Sequence, residues 1–128
     1  MDMSLEDGTK QAVHTPVMVA RLLQTLNKSN NTFATLAVSD EYYVQTQLTD
    51  GGYIIEKREG GEHAHFSATH VAPRPVQIFK KPWWQFWGEA PQQDFFGLTE
   101  VTEAFAAYLS GGPDPSFIKW SLMDPAAL

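Results

Sequence analysis

Apolar and polar residues along this chain change period several times, and each change marks an element. Val19, Leu22, Leu23 and Leu26 follow i, i+3, i+4, i+7 spacing, one stripe of an amphipathic helix. Thr15-Pro16 supplies an N-cap and a proline at the first helical position, and Asn27 to Asn31 ends the pattern, so a first helix is expected at 16–27. The period then drops to two. Phe33 to Val38 is an apolar run of strand length, and Ser39-Asp40-Glu41 turns it. Tyr42, Val44, Thr46 and Leu48 alternate with Tyr43, Gln45 and Gln47. Tyr53 to Arg58 and His63 to Thr69 read as two further strands, joined by tight turns at Asp50-Gly51 and Glu59-Gly60-Gly61-Glu62.

Two-residue loops at both turns fix a register. Leu48 then faces Tyr53, Thr46 faces Ile55 and Val44 faces Lys57. Across the second turn Ile55 faces Phe66, Tyr53 faces Ala68 and Lys57 faces Ala64. One face carries Val44, Leu48, Tyr53, Ile55, Ala64, Phe66 and Ala68; the other carries Tyr43, Gln45, Gln47, Glu56, Arg58, His63 and His65. Two hairpins solved independently agree on the apolar face, because a slip of one residue would exchange the faces.

Residues 70–97 break the pattern with prolines and a Trp-rich segment, Lys80-Lys81-Pro82-Trp83-Trp84-Gln85-Phe86-Trp87. Val76-Gln77-Ile78-Phe79 has the length of a short edge strand. Helical spacing returns with Val101, Ala104, Phe105, Tyr108 and Leu109; Thr99 is the expected N-cap, and Gly111-Gly112-Pro113 the stop. Phe117 to Leu122 reads as a last strand with Ile118 and Trp120 on one side. The expected fold is a single α+β domain over 13–128. It is an antiparallel meander of four to six strands with two helices packed on one face. Residues 1–12 are expected to be a flexible N-terminal tail.

Composition narrows the function. The chain has 128 residues, is 43% hydrophobic and carries a net charge of −6. Phosphate backbones repel such a surface, so nucleic acid is disfavoured and a basic protein partner favoured. No cysteine is present, which removes disulfides, thiol catalysis and Cys-ligated metal and fits a cytoplasmic protein. No long apolar run or apolar leader segment is seen, so no membrane partner is expected.

Several constellations admit chemistry. The register above sets Glu56 opposite His65 and Arg58 opposite His63. Glu56 and His65 then form a general-base pair with Arg58 holding an anion, or His63 and His65 hold a metal with Glu56 or His70. A solvated strand face or an interface patch accounts for the same residues. No nucleophile motif accompanies them, and neither a cofactor nor a bound metal is expected. The aromatic segment has three readings: a lid folded over the sheet or first helix, a protein-binding hot spot, or a membrane-interface anchor. Glu89, Asp94, Glu100 and Glu103 either complement the second helix dipole or form an acidic rim around the aromatics.

Val101-Thr102-Glu103-Ala104-Phe105-Ala106-Ala107-Tyr108-Leu109, then Gly111-Gly112-Pro113-Asp114-Pro115, then Ile118-Lys119-Trp120, resembles the immunity-protein-one family of bacterial polymorphic toxin systems. The matching pattern covers about a quarter of the chain, and the order of helix, strands and Gly-Gly hairpin is also similar. The Trp-rich insert at 80–88 and the His-bearing fourth strand depart from it. The resemblance implies a small α+β protein that occludes a cognate toxin in the producing cell. The expected contact residues are Trp83, Trp84, Phe86 and Trp87 as anchors, with Tyr43, Glu56, Arg58, His63 and His65 as a second, polar surface. Two rivals remain: a small enzyme or ligand-binding domain using that sheet face, and a subunit or adaptor of a secretion or phage-like assembly.

Overall fold

The computed structural model describes residues 1–71 and 94–123. The strands are β1 (Asp2–Leu5), β2 (Lys10–Ala12), β3 (Phe33–Ser39), β4 (Tyr42–Thr49), β5 (Gly52–Glu59), β6 (His65–His70) and β7 (Ile118–Leu122). The helices are α1 (Pro16–Leu23) and α2 (Leu98–Ser110). All neighbouring strands pair antiparallel in a seven-stranded sheet of order β2-β1-β3-β4-β5-β6-β7. The α+β single domain is as expected; the strand number exceeds the expected four to six. The expected edge strand at 76–79 lies outside the described residues.

The additional strands come from the N-terminus. Residues 2–12, expected as a loose tail, form a hairpin whose first strand also pairs with β3, Met3 opposite Leu36 and Leu5 opposite Ala34. The cause is alternation. Met3 is fully buried and Leu5 nearly so, while Asp2 and Glu6 point to solvent. Glu6 is also held from outside the hairpin, because its Oε1 accepts from the Thr32 amide at 2.8 Å and the Thr32 hydroxyl at 2.9 Å.

The β4–β5 hairpin closes as expected, Val44 facing Lys57, Thr46 facing Ile55 and Leu48 facing Tyr53. The positive φ falls on Gly52 rather than Gly51. The β5–β6 pairing is displaced by two residues: Lys57 faces Phe66, Glu56 faces Ser67 and Arg58 faces His65. The physical reason is the turn. Gly60 spends its amide on Glu41 O at 2.8 Å in the neighbouring turn, and Glu59 N reaches past the glycines to Ala64 O at 2.9 Å. Residues 60–64 are therefore loop. An even displacement leaves the residues that stay in β5 and β6 on their expected faces; His63 and Ala64 leave the strand.

Thr15 caps α1 through its hydroxyl, which accepts from the Met18 amide at 3.3 Å. That helix ends at Leu23, earlier than the expected 27, with Gln24 as its C-cap. The N-cap of α2 is Gly97, not Thr99, because Glu100 Oε1 turns back to accept the Gly97 amide at 3.0 Å. Gly111 ends α2 in the left-handed conformation at φ 68°. Val19 and Leu23 of α1 and Val101, Ala104 and Phe105 of α2 share one buried cluster with Met3, Leu36, Val44, Ile55, Ala68 and Ile118. The strand pairings put all those sheet residues on the same side. Both helices thus cover one face. Lys57 also lies on that side, and snorkels. Its Nζ is 4.5 Å from the Trp120 ring centroid and 2.8 Å from Glu59 Oε1. Among the described residues no helix is long and apolar enough to cross a membrane.

Candidate functional site

Both helices lie on one side; among the described residues no element covers the opposite sheet face, and the strand register sets its side chains in rows. One row runs Asp2, Ala37, Tyr43, Arg58, His65. The next runs Lys10, Ser4, Thr35, Gln45, Glu56, Ser67, Ser121. A third holds Phe33, Gln47 and Ile54. Two shallow depressions meet at Gln45. One, of about 250 Å³, is lined by Phe33, Gln45, Gln47, Ile54 and Glu56. The other, of about 430 Å³, lies over Asp2, Lys10, Thr35, Asp40 and Tyr43.

Of the residues expected on a polar surface, Tyr43, Glu56, Arg58 and His65 are brought together on this face, all half-buried. His63 is not. It falls in the 60–64 loop and is exposed, so the expected Arg58–His63 pair does not form. The expected Glu56–His65 pair is also corrected. Glu56 lies directly opposite Gln45 and Ser67, and Gln45 Nε2 donates to Glu56 Oε2 at 3.1 Å. His65 lies opposite Arg58, whose Nε donates to Gly60 O at 3.0 Å. The two-residue displacement at the β5–β6 turn is the reason for both. Trp83, Trp84, Phe86 and Trp87 lie outside the described residues. Among the described residues no three His, Asp or Glu side chains converge as a metal site.

A second polar constellation sits on the covered side. His70 Nδ1 is 3.1 Å from Asp94 Oδ2, and His70 Nε2 is 3.5 Å from Glu100 Oε2. The ring stacks on Phe96 with centroids 4.3 Å apart. Of the carboxylates first read as dipole complement or acidic rim, Asp94 and Glu100 therefore share a histidine partner, and Glu89 lies outside the described residues. Both ring nitrogens face carboxylates, so neither is presented to a substrate, and the group joins β6 to the start of α2. The sequence offers His70 only as a third metal ligand. A signal was present: Phe66, Ala68 and His70 share strand parity, which puts a histidine on the core side, where it needs partners.

Burial raises the Tyr53 and Tyr108 hydroxyls above the ordinary tyrosine value; the nearby Glu59 carboxylate adds to the effect at Tyr108. Neither belongs to the open face. The exposed Asp7 carboxylate is held below its ordinary value by hydrogen bonds from Thr9.

No family model matches the chain, no curated protein matches it in sequence and no solved structure matches its fold.

Proposed function

We propose that this chain is a non-enzymatic protein-binding module: an immunity protein that neutralises a cognate bacterial toxin in the cytoplasm by occluding it. One observation carries the proposal. Both helices cover one side of the seven-stranded sheet, and among the described residues the other side is left uncovered, with Phe33, Tyr43 and Ile54 set among polar side chains. An extended surface with isolated apolar contacts and shallow relief suits a macromolecule better than an enclosed small substrate.

Supporting it, α2, the Gly111-Gly112-Pro113 loop and β7 with Trp120 follow in the order on which the family resemblance rests. The net charge of −6 favours a basic partner, such as an enzyme built to hold phosphates. The general-base alternative loses its direct Glu56–His65 geometry. The Trp83–Trp87 segment remains a proposed anchor on sequence grounds, and the sheet face carries the reading without it.

The test is co-expression with the protein encoded beside this gene, assayed first for toxicity on its own. Restored growth and a stable one-to-one complex are the expected result. A toxic neighbour that the chain neither binds nor silences, or a neighbour without toxicity, overturns the reading.

A further inference from the structure

We infer that the depression beside Glu56 receives a basic segment of a protein partner, with an arginine or lysine of that segment paired to Glu56. This rests on the protein-binding reading and adds which surface is used and what chemistry fills it.

Glu56 occupies the middle of the open face and is half-buried there. Its hydrogen-bond partner is the neutral amide of Gln45, at 3.1 Å. Among the described residues it has no ion-pair partner. Arg58, two residues along β5 on the same face, turns its Nε to Gly60 O at 3.0 Å instead. A half-buried carboxylate with one neutral donor has acceptor positions left for a cation, and a guanidinium fills two of them at once.

The surroundings carry the same sign. Across the two depressions the charged lining is Asp2, Asp40 and Glu56 against Lys10 alone. Asp2 and Asp40 likewise have no ion-pair partner among the described residues. Phe33, 43% exposed, and Ile54 flank Glu56 and offer apolar contact to the stem of an arginine or to a neighbouring aliphatic side chain. Seven strands at about 4.8 Å spacing span roughly 30 Å, and strands of this length run about 20 Å. That footprint approaches the roughly 800 Å² per partner of a standard interface. Nucleic acid is repelled by the same carboxylates.

The probe is a blocked peptide of alternating arginine and leucine, eight residues long, titrated into the ¹⁵N-labelled full chain. The expected result is saturable amide shifts centred on Gln45, Gln47, Ile54 and Glu56, with Glu56→Gln weakening binding about tenfold, the loss of one charge-assisted contact. Glu56→Gln keeps an oxygen for the Gln45 amide, so the fold is retained, and Thr35→Arg provides a second, independent block of the same surface. Glu41→Gln, in the exposed β3–β4 turn, serves as the charge control and should leave affinity unchanged. Shifts centred on the Glu41 and Glu62 turns, or equal weakening by Glu56→Gln and Glu41→Gln, overturn the inference. Failure of toxin neutralisation with peptide binding intact at Glu56 removes the immunity reading and leaves the docking site. A neutralised toxin whose affinity ignores both Glu56→Gln and Thr35→Arg does the reverse.

Discussion

Asp94 binds His70 twice: one carboxylate oxygen, Oδ2, takes the His70 backbone amide at 2.6 Å and faces the ring Nδ1 at 3.1 Å. Glu100 meets the other side of the ring and also accepts the Gly97 amide, so one histidine links the end of β6, residue 94 and the cap of α2. Asp94→Ala leaves the part-buried His70 amide without its acceptor. It should cost about 1–3 kcal/mol of unfolding free energy, the usual penalty for an unsatisfied buried polar group. Urea denaturation measures it. Glu100→Gln, which retains an oxygen for Gly97, should cost less. Equal stability of Asp94→Ala and the parent would mean that the pair contributes nothing to the fold.

The N-terminal hairpin makes the sharpest stability prediction. Met3 is fully buried against Leu36 of β3. Met3→Ala should destabilise the domain by about 2–5 kcal/mol, the range for truncating a large core side chain. Ser4→Ala on the open face should stay within about 0.5 kcal/mol. A loose tail would tolerate both equally, so thermal unfolding of the pair distinguishes the two cases.

Gly52 adopts φ 129°, and a Cβ there would stand 3.1 Å from the Phe96 carbonyl oxygen. The backbone is already committed at that point, because Tyr53 and Phe96 exchange amide bonds of 2.9 and 2.8 Å. Gly52→Ala therefore combines a disfavoured conformation with a backbone contact that cannot rotate away. A loss of about 1–3 kcal/mol is expected in chemical denaturation. Gly61→Ala, with open space around its added methyl, is the comparison and should be nearly silent.

Tyr53 and Tyr108 are raised above 10.0 by burial, with the Glu59 carboxylate adding to the shift at Tyr108. A folded-state value above the unfolded one means that the native protein holds these protons longer. Their contribution is fully present below the unfolded tyrosine value and is lost as pH rises through the folded value. Unfolding free energy should therefore fall as pH climbs past about 10. Tyr108→Phe should flatten that fall. Phenolate absorbance should show Tyr53 and Tyr108 ionising above the ordinary tyrosine value; ionisation of Tyr108 at or below that value contradicts the placement.

Local signals carried much of the fold. The Thr15-Pro16 start, the Asp50-Gly51 hairpin and the Gly111 stop each depend on adjacent residues, and each stands where the spacing put it. The β5–β6 turn departs from its expected register because Gly60 bonds to Glu41, a contact between two hairpins that neither hairpin encodes. The faces survived because the error was even. Met3 and Leu5 alternate with polar neighbours as a strand should, but their partner strand begins at Phe33, and the acidic residues between hid the pattern. Four of the five residues expected on the polar surface are legible for the same reason: strand parity alone puts Tyr43, Glu56, Arg58 and His65 on one side, whereas the partner of each depends on register. His70 lies 24 residues before Asp94, and no spacing rule joins it to Asp94 or Glu100.

Side-chain oxidation footprinting of the chain alone and in complex with the proposed protein partner tests the open-face account most directly. Phe33, Tyr43 and Ile54 should become protected on binding, while Val17, 59% exposed on α1, keeps its free-state reactivity. Protection of Val17 with Phe33, Tyr43 and Ile54 unchanged would contradict the account, because the partner would then sit on the helical side.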